Sequence, residues 1–119
     1  MSRDFPDPDA PLTDASTLRV GDVIQIAVQL PDKTTGQPFW WKRFACVVGE
    51  APPRRTIRRI TFYALTLKMQ VDMERDLREI DLQDEKTVVT YLPEERHPQG
   101  VIAMKMKLVA LGHIKLEGE

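Results

Sequence analysis

Apolar and polar residues alternate at every second position through several stretches of this chain, the period of a half-buried strand. In LRVGDVIQIAVQL, Ile24, Ile26, Val28 and Leu30 alternate with Gln25, Ala27 and Gln29, after a bend or bulge at Gly21-Asp22. The loop 31–38, PDKTTGQP, consists of turn residues. FWWKRFACVV, aromatic and β-branched, reads as the next strand and ends at Gly49.

RRTIRRITFYALTLKMQVDME, residues 54–74, fits two templates. As a helix, Ile57, Ile60, Ala64, Leu67 and Val71 share a stripe; as a strand, Leu65, Leu67, Met69, Val71 and Met73 alternate without error with polar neighbours. The strand explains both phases, and a bulge near Tyr63 and Ala64 re-phases it. MERDLREIDLQDEK holds either one helical turn, with Glu74–Arg78 and Arg75–Glu79 at i,i+4, or an irregular connection. TVVTYL is a short strand stopped by Pro93, and PEERHPQG is a loop. Ile102, Met104, Met106 and Leu108 alternate with Ala103, Lys105 and Lys107, which predicts a second long strand; Gly112 interrupts it and HIKLE resumes as a short terminal one.

None of the prolines falls inside these strands. The pattern predicts an all-β fold with at most one helical turn: a small antiparallel β-barrel or sandwich of five to six strands. SH3-like and OB-like barrels have this size, an analogy of fold that carries no function. Residues 1–16 differ in kind. Pro6, Pro8 and Pro11 remove backbone donors, while Asp4, Asp7, Asp9 and Asp14 repel one another, so this segment is expected to be a flexible arm ahead of one barrel-like domain over 17–119.

Composition narrows the class. A chain of 119 residues with 42% apolar and 29% charged residues is one globular domain rather than a disordered segment. Its uncharged apolar runs are too short to cross a bilayer and its N-terminus lacks an apolar signal core, so no membrane partner is expected. Cys46 is the single cysteine, which excludes an internal disulfide and fits a cytoplasmic origin, or a virion if the structural role below holds. The net charge of −1 hides bands: residues 1–16 sum to −3, residues 42–68 to +6 and residues 72–86 to −4.

Candidate chemistry is sparse. His97 and His113 stand sixteen apart, and Glu94, Glu95 and His97 read as a solvated loop rather than a metal site. Cys46, within FACVV, has the setting of a small core hydrophobe. Without a nucleophile motif or a phosphate loop, no enzyme activity and no cofactor are expected. Met69, Met73, Met104 and Met106 fall on the apolar phase of two strands, with core filling as their default role.

Two features point to binding. Trp40 and Trp41 are successive strand residues and face opposite ways, so one of them is exposed or at an edge unless a loop or the arm covers it. Arg54, Arg55, Arg58 and Arg59 precede acids at Asp72, Glu74, Asp76 and Glu79, a pairing of bands that needs no nucleic acid. The leading expectation is therefore a non-enzymatic structural or adaptor subunit of a larger assembly, a homo-oligomer or part of a hetero-assembly. A viral or phage particle component is its concrete form. It would use Trp40, Trp41, the four arginines and those four acids as a protein interface. The alternative is a nucleic-acid-binding barrel that stacks bases on Trp40 and Trp41 and holds phosphates with Lys42, Arg43, Arg54, Arg55, Arg58 and Arg59. A third reading is a regulatory protein that docks on one enzyme through residues 72–86.

Overall fold

The alternating stretches do form strands, though not all of those expected. The computed structural model describes residues 5–31, 39–49, 59–64 and 77–116. Within them lie β1 (Val23–Pro31), β2 (Phe39–Val48), β3 (Arg59–Ala64), β4 (Leu77–Asp81), β5 (Thr87–Tyr91) and a helix, α1 (Gln99–Ala110). Short 3-10 turns occupy Ala15–Thr17 and Glu94–Arg96. The strands make one antiparallel sheet in the order β4-β3-β2-β1-β5.

The sheet carries apolar residues on both faces where each is covered. Register sets Ile24 opposite Cys46 and Ile26 opposite both Phe44 and Val89. These residues join Val48, Ile60 and Phe62 in one cluster, against which Leu12, Ala15, Leu18, Ile80 and Leu82 pack. The alternate phase carries Val23, Val47 and Tyr63, aligned across three strands. α1 lies on that face through Val101, Met104 and Leu108, with Ile114 beside them.

The expected bend before β1 is present. Gly21 has φ +91°, its amide donates to the Val48 carbonyl at 2.8 Å, and Val48 donates in turn to the Asp22 carbonyl. At the far end of the fold, residues 82–86 join the two edge strands. A flat sheet would hold those edges roughly 19 Å apart, near the full reach of such a connection. The connection is not extended: Asp84 and Thr87 donate back to the carbonyls of Asp81 and Asp84, and the carboxylates of Asp81 and Asp84 accept from the amides of Gln83 and Lys86. The sheet is therefore curled, yet β4 and β5 do not pair among the described residues, and it does not close into a barrel there.

Three expectations need correction. The fold is mostly β but not all-β, because the predicted strand over 102–108 lies within α1. Pro98 and Gly112 bracket that helix. Gly112 has φ +79°, its amide donates to the Val109 carbonyl, and the His113 amide donates to Leu108, the paired bonds that end a helix on a left-handed residue. HIKLE does not resume as a strand: residues 113–116 leave the helix without strand pairing, so that Ile114 is buried beside Leu108. Finally, Leu77–Asp81 is a strand rather than a helical turn. β3 offers it an edge, with Ile60 opposite Ile80 and Thr61 opposite Glu79. The Met69 and Met73 alternation and the i,i+4 partners Glu74 and Arg75 lie outside the described residues.

No atom lies within 4 Å of where a Cβ on Gly112 would sit, so the cost of a side chain there is a backbone cost alone. Gly112→Ala is expected to lower the unfolding free energy by about 1–2 kcal/mol in urea titration, with α1 still formed.

Residues 5–17 of the N-terminal segment run along the sheet. The Leu12 amide donates to the Val89 carbonyl at 2.7 Å, beside a bridge between Pro11 and Thr90. Phe5 packs on Tyr91 with ring centroids 5.9 Å apart, and Asp9 pairs with Arg96 at 3.5 Å. Asp14 caps the first 3-10 turn by accepting from the Ser16 amide, and hydrogen bonds from Ser16 hold its carboxyl below the usual range.

Candidate functional site

A helix that covers a sheet normally has one apolar stripe, and α1 has two. Val101, Met104 and Leu108 face the core and are at most 3% exposed, whereas Ile102, Met106 and Val109 are 43%, 68% and 39% exposed. At 3.6 residues per turn the two stripes lie roughly 130° apart around the helix. The polar side of α1 is correspondingly narrow. The outer stripe costs free energy where it meets water, and nothing within the described residues covers it.

That stripe forms one wall of a groove of about 890 Å³. Phe5, Pro6 and Pro8 of the N-terminal segment form the opposite wall, and the buried residues Val23 and Tyr91 lie at its base with Leu116. Phe5 is itself 61% exposed, so both walls present apolar surface to solvent. The volume lies within the range of built binding sites.

The polar groups at the groove are few. Glu94 and Glu95 are exposed on the 3-10 turn ahead of α1, and Lys105 lies between the two helix stripes. None of the three makes an ion pair with a described residue. His97 Nε2 is 2.9 Å from the Leu92 carbonyl, which can only accept, so that nitrogen carries the proton. Asp22 accepts from the Arg19 amide. The histidine and Asp22 are thus engaged in holding loops. Among the described residues no three His, Cys, Asp or Glu side chains gather as metal ligands, and no helix there is long and apolar enough to cross a membrane.

Of the interface residues expected from sequence, Arg54, Arg55, Arg58, Asp72, Glu74 and Asp76 lie outside the described residues, as do the side chains of Trp40 and Trp41. The backbones of Trp40 and Trp41 pair with Leu30 and Gln29 in the β1–β2 ladder. Lys42 and Arg43 are exposed and, as neighbours on β2, point to opposite faces. Arg59 meets Glu79 across β3 and β4 at 3.2 Å, both side chains about half exposed, so one contact between the basic and acidic bands is made within the molecule. Such an exposed pair is worth at most about 1 kcal/mol. By strand register, Arg59 lies about 26–30 Å along the sheet from Arg43 and Lys42, too far to share one phosphate.

Cys46 is fully buried, and burial pushes its thiol from an ordinary value near 9 up to about 12. Because the neutral form is favoured only in the fold, the stability this confers is complete below pH 9 and is lost as pH rises from 9 toward 12. Between pH 8 and pH 10, unfolding free energy should fall by about 1 kcal/mol more in the native chain than in Cys46→Ala, which cancels the shared titration of Lys and Tyr. Equal slopes in the two proteins would show the thiol to be accessible.

Comparison of the chain with protein-family models, with curated proteins and with solved structures gave no match.

Proposed function

We propose that this protein is a non-enzymatic structural or adaptor subunit of a larger protein assembly, joined to its neighbour through the groove beside α1. The observation that carries this reading is the second apolar stripe of α1, which faces solvent when the helix is already anchored by the first. Covering Ile102, Met106, Val109 and Phe5 would bring the free-energy gain of apolar burial, about 25 cal/mol for each Å² removed from water. The polar groups at the groove support contact rather than chemistry, since His97 and Asp22 are committed to backbone partners. We read the curled sheet as a small barrel left open between β4 and β5, with the N-terminal segment serving as an arm. Particles built from armed β-subunits, such as those of viruses and phages, are the concrete setting for this role.

The test is to follow the tagged chain in its native source by size separation. The chain is expected to migrate well above its own 13.6 kDa. Met106→Lys should return it to monomer size, and Lys86→Glu, an exposed turn position away from the groove, should leave it in the assembly. Migration as a free monomer, or equal behaviour of the two variants, would remove the groove from the assembly.

A further inference from the structure

Resting on the assembly reading, we propose that the groove is filled by α1 of a second copy of this chain, in a two-fold contact. Backbone chemistry restricts the occupant first. An extended segment would need unpaired amides and carbonyls to bond to, and the groove offers few. One wall is a helix whose backbone is satisfied internally, and the other contains Pro6 and Pro8, which have no amide hydrogen. The neighbouring edge of β5 is already used at Val89 by the Leu12 amide. A helix satisfies its own backbone, so it can lie in such a groove with side chains alone.

Charge then selects which helix. The rim is acidic at Glu94 and Glu95, without ion-pair partners among the described residues. α1 carries Lys105 and Lys107 and no acid, together with the exposed stripe Ile102, Met106 and Val109. It is therefore a basic helix with an exposed apolar stripe, of the kind the acidic rim and apolar walls fit. In a two-fold contact the same patch serves both copies, each α1 acting as a wall of one groove and the occupant of the other. Antiparallel helices with Ile102 of one copy against Met106 of the other direct Lys105, which borders the outer stripe and lines the groove, toward the acidic rim of its mate. Met106, long and unbranched, can adapt to the seam.

The test is sedimentation equilibrium of the full chain from about 1 μM to 1 mM, with circular dichroism to verify folding. Reversible dimerisation is expected. Glu94→Lys/Glu95→Lys and Lys105→Glu should each weaken it by about tenfold, and the variant carrying all three changes should recover to within a few-fold of the native chain. Met106→Lys should abolish the dimer while remaining folded. A monomer at every concentration, or a dimer that the combined charge exchange fails to restore, would overturn the proposal. If the chain alone is monomeric but Met106→Lys still releases it from an assembly in the native source, a different protein fills the groove and only the two-fold contact fails. If neither effect is seen, the assembly reading fails with it.

Discussion

Leu108→Ala is expected to lower the unfolding free energy by about 2–5 kcal/mol in denaturant titration. Leu108 is fully buried, and its carbonyl accepts the His113 amide that closes the helix. Its side chain packs where α1 meets Val23, Val47 and Tyr63 on the sheet. Truncation removes apolar contacts on both sides of that seam. The helix has few alternatives, because Val101 and Met104 alone would remain to anchor it. The seam is fixed by a sheet on one side and by Ile114 on the other, so collapse around the cavity is limited and the upper half of the range is expected. If Leu108→Ala cost no more than about 0.5 kcal/mol, the inner stripe would not be the anchor of α1.

Ile24→Ala is expected to have an effect of the same size, about 2–5 kcal/mol, through the opposite face of the sheet. Ile24 is fully buried near the start of β1, between Cys46 on β2 and Tyr91 on β5. Its cluster is closed from outside by Leu12, Ala15 and Leu18. The loss should therefore be accompanied by loosening of that covering segment, read as faster exchange of the Leu12 amide, which bonds to Val89. Leu108→Ala should leave that amide protected. The two substitutions act in separate clusters, so their costs should add to within about 0.5 kcal/mol, and together they approach the whole stability of an ordinary small domain.

Much of the sheet was legible in the sequence. The alternation of Ile24 and Ile26 with Gln25 and Ala27 gave β1 its correct inner face, and turn residues bounded β2 and β5. The expectation of one polar face failed at Val23 and Val47, because a helix covers that side. The same helix explains the largest misreading. Two apolar stripes on α1 interleave in sequence, so Ile102, Met104, Met106 and Leu108 imitate the period of a strand while belonging to different faces. Pro98 before the run, Gly112 after it, and the helix-favouring Ala, Met, Lys and Leu within it were the signals that favoured helix. β4 was hidden because charges at i,i+4 look helical in isolation, whereas the edge of β3 decides in favour of pairing.

The groove was not legible, since it depends on the N-terminal segment meeting a helix nearly a hundred residues later. Its trace in the sequence was the excess of apolar residues between Pro98 and Gly112, more than one helix face can bury. The expected interface residues were instead chosen for charge density. Of these, Arg59 and Glu79 pair with each other in one molecule, and Lys42 and Arg43, expected only in the nucleic-acid alternative, lie far along the sheet from Arg59.

The most direct measurement places a photo-crosslinking amino acid at Met106, and separately at Glu85 on the turn between β4 and β5, and irradiates the protein in its native source. Both positions are exposed, so solvent access alone would label them alike. If the outer stripe of α1 is the contact surface, position 106 gives discrete protein adducts and position 85 gives none. Equal labelling at both positions, or no adduct at 106, would contradict a role for this groove in assembly.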